Sequence, residues 1–370
     1  MTPSDPFEIF LAAPPGLELG LCAEAREAGF PDPRATAGGV VFQGDWPDVW
    51  RANLVLRGAS RVLARFGGFP VFHLAQLDKR ARKFDWGAVL GPQMPVRVEV
   101  TCKRSKIYHT GAAKQRIEKA LSESFGAVLA ADAVVQIKAR IEDNFCTFSV
   151  DTSGTSLHKR GHKEAVGKAP MRETLAALFL RECGYSGTEP VLDPMCGAGT
   201  FVIEAAEWAL GLVPGRDRSF AFEDLASFDP TRWAKIRQSS GADQTQLRFF
   251  GFDRDQGAVQ SSQANAERAG VNGICAFACQ PISALTRPDG PPGLVIVNPP
   301  YGARISNKKM LYGLYSTFGN VMKSHFQGWR VGVITSEAGL ARATGLPFAA
   351  TTPPVPLGGL KIKLHRTDSL

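Results

Sequence analysis

Cysteine is sparse in this chain and follows no pattern. Its seven cysteines are scattered, and the closest pair, Cys275 and Cys279, lacks the two-residue spacing of a metal site. An odd count without a spacing framework gives no disulfide scaffold and suits a reducing cytoplasm. His158 and His162 stand four residues apart, but no cysteine or carboxylate joins them in a metal pattern, so no metal is expected. No apolar run reaches about 18 residues, which excludes a membrane-spanning helix. Met1-Thr2-Pro3-Ser4-Asp5 has no basic region leading into an apolar segment, so no signal peptide is expected and the reading is cytoplasmic.

What remains is ordinary in bulk and informative in detail. A length of 370 residues predicts two or three domains, and 44% hydrophobic with 21% charged residues suits a globular protein with a sizeable core. A net charge of +8 and a pI near 9.2 lean toward a polyanionic partner.

Residues 5–68 alternate short strands and helices: strands over 7–11, 40–42 and 61–66, helices over 17–28 and 46–54. This predicts a small α+β unit without a catalytic constellation of its own. Residues 69–155 repeat the style. A helix from Pro70 ends in Lys79-Arg80-Ala81-Arg82-Lys83, Val96 to Val100 alternate as a half-buried strand, and a helix covers 112–125. Strands near 133–140 and 145–151 follow, joined by Asp143-Asn144. A charge run is usually a solvated face. Here Lys79, Arg80, Lys103, Arg104 and Lys106 cluster with an aromatic, Tyr108, which offers stacking beside charge and predicts a surface for an RNA backbone. Such contacts position a nucleic acid without reading it. The polar stretch that follows, 156–168, reads as a linker to a last domain over 169–370.

That last part has the grammar of a doubly wound sheet. Ala169-Pro170-Met171-Arg172-Glu173 opens a helix with proline in its first turn. Val191-Leu192-Asp193 is a strand, Pro194-Met195-Cys196-Gly197-Ala198-Gly199-Thr200 a glycine-bearing turn, and 201–210 a helix. Glycines there let a ligand approach the backbone and meet helix N-terminal amides. Asp193 can order the turn or receive the amino group of a cationic ligand. A dinucleotide fingerprint would want a third glycine where Val202 stands. Asp253, closing a strand over 247–252, comes 54 positions after Gly199 rather than the usual 20 or so, with an insertion or long connection between. Asp253 is placed to accept hydrogen bonds from both hydroxyls of a ribose; the alternative role, a helix N-cap, is one that Asp255 can fill. A helix over 256–269, a strand and loop over 277–285, a helix over 310–326, a strand over 329–336 and a hairpin over 355–364 complete the pattern.

The chain's most telling stretch is the buried strand Leu294-Val295-Ile296-Val297 running into Asn298-Pro299-Pro300-Tyr301. Ligands of open α/β sheets sit at the carboxyl ends of strands, where this tetrapeptide lies. The Asn298 side-chain oxygen and the Pro299 carbonyl can each accept one hydrogen of a planar amine, freeing its lone pair for a methyl donor. Tyr301 can stack on the ring, which is catalysis by positioning. Alone, the tetrapeptide equally fits adenine-N6 methylation of DNA, glutamine methylation of a protein, or a plain Asn-Pro turn.

Taken together, these motifs in this order resemble the THUMP-domain class I methyltransferases, and within them the bacterial enzymes that make N2-methylguanine in large-subunit ribosomal RNA. The resemblance spans nearly the whole chain through 169–173, 192–200, Gly251-Phe252-Asp253-Arg254-Asp255 and Asn298-Pro299-Pro300-Tyr301-Gly302. It implies a ferredoxin-like domain over 1–68, a THUMP RNA-binding domain over 69–155 and a Rossmann-like methyltransferase sheet with a terminal antiparallel hairpin. S-adenosylmethionine is the implied cofactor, held by Pro170, Asp193, Pro194, Cys196, Gly197, Gly199, Thr200, Asp253, Arg254 and Asn298. Where relatives often offer a carboxylate to the adenine, this chain has Cys279-Gln280-Pro281, leaving Gln280 or backbone atoms for that contact. Asn298, Pro299, Pro300 and Tyr301 take the target amine. Cys196 is not expected as a nucleophile, because Pro300 occupies the place a pyrimidine-methylating cysteine would need. The implied partner is structured RNA, ribosomal or transfer, bound by a monomer. A different class of answer is an RNA-binding protein keeping a silent methyltransferase shell.

Overall fold

The structure, a computed structural model, describes residues 6–164, 171–238, 244–302 and 308–370. It divides into two compact units: Met1–Ala13, Cys22–Leu157 and Arg218–Ser239 make the first, and Pro14–Leu21, His158–Asp217 and Ser240–Leu370 the second.

Eight strands of the first unit form one sheet: β1 (Phe7–Ala12), β2 (Arg34–Thr36), β3 (Gly39–Gly44), β4 (Arg61–Pro70), β5 (Pro95–Lys103), β6 (Val128–Leu129), β7 (Val135–Glu142) and β8 (Phe145–Asp151). Their order is β2-β3-β1-β4-β8-β7-β5-β6. The first four, with helices Glu18–Glu27 and Trp46–Val55 between them, have the antiparallel 2-3-1-4 order of the expected ferredoxin-like fold. Alternation places Phe7, Ile9 and Leu11 of β1 in the core. β4 is longer than the sequence pattern suggests. It pairs with β1 and then with β8 as far as Pro70, so the expected boundary after residue 68 falls inside one strand. Gly68 permits this, since a Cβ there would stand 2.4 Å from the Cys146 carbonyl. Pro70 therefore ends a strand instead of opening a helix, and the helix is Leu74–Ala81, capped by the His73 ring at 3.2 Å from the Gln76 amide. The expected insertion is anchored by aromatics: Phe222 packs 6.1 Å from Trp50 and 5.0 Å from Trp233, and so Arg218–Ser239 joins the first unit.

In the second unit the strands are β9 (Val191–Asp193), β10 (Phe249–Asp253), β11 (Cys275–Cys279), β12 (Leu294–Val297), β13 (Arg330–Thr335), β14 (Phe348–Thr351), β15 (Val355–Leu357) and β16 (Leu360–Thr367). The order is β11-β10-β9-β12-β13-β16-β14, parallel from β11 to β13, with β16 antiparallel and β15 hairpinned to it. This is the expected Rossmann-like sheet with its terminal antiparallel hairpin. Of the strand and loop expected over 277–285, the strand is Cys275–Cys279, starting two residues earlier, and the loop begins where Pro281 ends the ladder before the 3-10 turn Ile282–Ala284. The expected linker is packed where described. Arg160 and His162 are buried, and Arg160 meets Glu204 at 3.3 Å on the helix Thr200–Ala209. Arg160 is thus matched to a buried carboxylate rather than to water.

Candidate active site

Strand register gathers the candidate residues. Gly251 pairs with Asp193 and Val295 with Leu192, so Asp193, Asp253 and Asn298 stand at the carboxyl edge of three neighbouring strands.

The glycine turn between β9 and the helix Thr200–Ala209 needs its glycines. Gly197 has φ +54° and Gly199 φ +78°, a region that costs other residues steric energy. A Cβ on Gly199 would come 3.1 Å from Ser262, whereas one on Gly197 would meet open space. Gly197 thus faces the room a ligand needs. Its amide donates to Asp253 Oδ2 at 3.0 Å, and the Asp255 amide donates to Oδ1 at 3.0 Å. Each Asp253 oxygen retains a second lone pair for a ligand hydroxyl. Asp255, not Asp253, caps the helix Gln256–Arg268 by accepting from Gly257 at 2.8 Å.

Asp193 is only 3% exposed and accepts the Met195 amide at 3.0 Å. Burial pushes its carboxyl up to about 8, with the charge of Asp253 adding to the shift. Burial thus favours its neutral, protonated form in the free protein. Burial likewise pushes the Cys196 thiol up, disfavouring the thiolate a covalent mechanism needs.

Two residues that sequence reasoning missed hold this turn. Ser262 donates to the Gly197 carbonyl at 2.7 Å and Asn265 to the Ala198 carbonyl at 3.0 Å. Both are polar yet lie on the buried stripe of Gln256–Arg268 with Val259 and Ala266, a mismatch readable from helical spacing. Thr200 is engaged from elsewhere: Lys163 reaches its hydroxyl at 2.8 Å, the Met171 carbonyl at 2.7 Å and Glu173 at 3.2 Å. Pro194 is buried, Arg254 is exposed, and the Gln280 side-chain amide is turned onto the Ala284 carbonyl. Pro170 lies outside the described residues.

Asn298 is the unusual residue. Its Oδ1 is buried and no donor reaches it among the described residues. An orphaned buried acceptor costs about 1–3 kcal/mol, so it marks a place where a donor is expected to arrive. Pro299 is buried and Pro300 half-buried, and the Pro300 carbonyl accepts from the Tyr315 hydroxyl at 3.4 Å. Tyr315, on the helix Lys308–His325, was not legible in the sequence as a site residue, and burial raises its pKa. Tyr301 is 4% exposed, so its ring is covered before any base enters.

The basic residues expected to meet RNA lie at one end of the first unit's sheet. Lys103 ends β5, Lys79 and Arg80 sit on Leu74–Ala81, and Lys106 stands 5.5 Å over the Phe72 ring. Tyr108 is 83% exposed. Arg104, however, is bound to Asp143 at 2.9 Å and Glu142 at 2.8 Å, and Lys103 to Glu142 at 3.5 Å. The acids of the β7–β8 turn therefore neutralise part of this cluster. Lys103 and Arg104 also line a 720 Å³ groove on the sheet face beside Phe10, Arg65 and Phe145.

Comparison with known proteins agrees with this geometry. Residues 160–352 match the RMKL-like methyltransferase domain family, and residues 8–63 the RlmL ferredoxin-like domain. The chain belongs to the RMKL-like methyltransferase family. A candidate RNA methyltransferase of Synechocystis is 31% identical over 365 residues, covering 95% of this chain and 94% of that one. A candidate methyltransferase solved with S-adenosylhomocysteine, SMU.472, superposes with a TM-score of 0.90 at 26% identity, covering 99% of each chain. A candidate N6-adenine-specific DNA methylase of Listeria monocytogenes superposes at 0.88 with 28% identity, covering 99% of this chain and 97% of that one. The cofactor of this methyltransferase is S-adenosylmethionine.

Proposed function

We propose that this methyltransferase acts on RNA, placing a methyl group on the exocyclic N2 amine of a guanine in large-subunit ribosomal RNA, as a cytoplasmic monomer. Residues 69–155 serve as a THUMP-type RNA-binding domain. The observation that carries the reading is the orphaned Asn298 Oδ1 at the edge shared by Asp193 and Asp253. The name of the Synechocystis relative and the RlmL ferredoxin-like match support RNA as the substrate.

S-adenosylmethionine supplies an electrophilic methyl group when bound. Asp193 receives its ammonium, the open face of Gly197 admits its methionine end, and Asp253 accepts its ribose hydroxyls. Asn298 Oδ1 and the Pro299 carbonyl each accept one amine hydrogen and turn the nitrogen lone pair toward the methyl donor. Tyr301 stacks on the base once its ring is uncovered. No titrating group is required, because the methylated amine is acidic enough to pass its proton to water. The target base must leave its stack, at a cost of a few kcal/mol, which favours loops. Transfer of tritium-labelled methyl to total RNA from a strain lacking this gene, followed by nucleoside mapping, is expected to yield N2-methylguanosine in ribosomal RNA. Label in transfer RNA would replace this reading, as would N6-methyladenine formed in a parallel assay on DNA of the same strain.

A further inference from the structure

Binding a base at Asn298 leaves its flanking phosphates to be held, and the first unit's basic cluster is partly neutralised. The surroundings of Asn298 carry cations that are not. Two elements supply them. β12 and β13 pair Val297 with Val333, and β13 and β16 pair Thr335 with Lys363, which sets Lys363 at the same sheet edge as Asn298, two strands away. Lys361 lies on the same exposed face of β16, alternating with buried Ile362 and Leu364. The hairpin turn abuts the catalytic loop, since a Cβ on Gly302 would stand 3.5 Å from Leu360.

The second element is the helix Lys308–His325, which is tied to the tetrapeptide by the Tyr315 hydroxyl on the Pro300 carbonyl. Its first turns expose Lys308, Lys309, Met310 and Tyr312. Tyr312 reaches toward the end of β13: a Cβ on Gly339, in the helix Ala338–Ala343, would meet its hydroxyl at 2.5 Å. Lys308, Lys309, Lys361 and Lys363 are all exposed, and none has a carboxylate partner among the described residues. Glu337 acts electrostatically on Tyr315 near this edge, and Asp193 and Asp253 are placed toward the cofactor, so the four lysines are the charges left for a phosphate. Four unpaired lysines beside an exposed aromatic suit an opened nucleic-acid strand, whose phosphates take the charge and whose bases take the ring.

Resting on the function proposed above, we infer that Lys308, Lys309, Lys361 and Lys363 form a rim that grips the RNA phosphates flanking the extruded nucleotide, with Tyr312 stacking on a neighbouring base. The test compares wild type with the fourfold lysine-to-glutamine variant on a protein-free transcript of large-subunit ribosomal RNA. The expected result is at least tenfold weaker binding and a log-affinity versus log-salt slope shallower by about 0.7 per phosphate-holding lysine. Lysine-to-arginine replacement should keep the slope, and calorimetric cofactor affinity should stay at the wild-type value, excluding misfolding. An unchanged slope in the glutamine variant overturns the rim. Methyl transfer by wild type is measured on the same transcript. Its absence would count against the proposed function, while the slopes would still decide the rim.

Discussion

At the scale of single residues, Asn298, Tyr301 and Asp193 govern the expected behaviour. Among the described residues no donor reaches the buried Asn298 Oδ1, so its removal should slow the chemical step much more than it weakens the binding of either ligand. Asn298→Ala is expected to slow single-turnover methyl transfer by roughly a hundredfold or more, as the loss of one preorganised polar group does elsewhere. Tyr301→Phe should be mild and Tyr301→Ala severe; equal loss in both would mean that the phenol takes part in the chemistry. Asp193 makes a separate prediction about pH. Its carboxyl is raised to about 8 in the free protein, and a bound cation favours the carboxylate. Cofactor binding should therefore release a proton, and affinity should climb with pH up to about 8 and level off above it. Calorimetry in buffers of different ionisation enthalpy reads the proton directly, and Asp193→Asn should abolish the pH dependence. The same shift acts on the free protein with opposite sense: stability from the neutral acid is full below about pH 4 and is lost as pH rises through 8.

At the scale of elements, the Gly197–Gly199 turn depends on the helix beside it. Ser262 and Asn265 hold two carbonyls of the turn from Gln256–Arg268. Replacing them together with alanine should weaken S-adenosylmethionine about tenfold, at about 0.5–1.5 kcal/mol for each lost hydrogen bond. Isothermal titration checks this, and unaltered affinity would mean that the turn is set by its glycines alone. The packed segment before residue 165 carries an acid sensitivity. Burial lowers His158 and His162 to about 4, so both are neutral at pH 7. Groups with depressed pKa contribute stability that is present above about 6.5 and lost as pH falls toward 4. Thermal melts should show that loss, and His162→Gln should reduce it.

At the scale of the whole molecule, charge and pairing decide more than composition. Lys103 and Arg104 are held by Glu142 and Asp143, so neutralising them should change the salt dependence of RNA binding little, whereas Lys79→Glu with Arg80→Glu should flatten it. Filter binding at several salt concentrations separates the two. Parts of the molecule whose signals are local were legible in the amino acids alone. The buried strand into Asn298-Pro299-Pro300-Tyr301, the Gly197 and Gly199 turn and the alternation of β1 follow from backbone sterics and side-chain period over a few residues. Asp255 as the helix cap is equally local. Other features depended on residues far apart in the chain. β4 continues past residue 68 because β8 pairs with it, Arg218–Ser239 joins the first unit through Trp50, and Arg160 is buried because Glu204 meets it. Whether a lysine is free or paired, and whether an amide oxygen finds a donor, depends on the three-dimensional neighbours that desolvate and neutralise it. Those features come from the folded arrangement, because burial and electrostatic pairing act through space rather than along the chain.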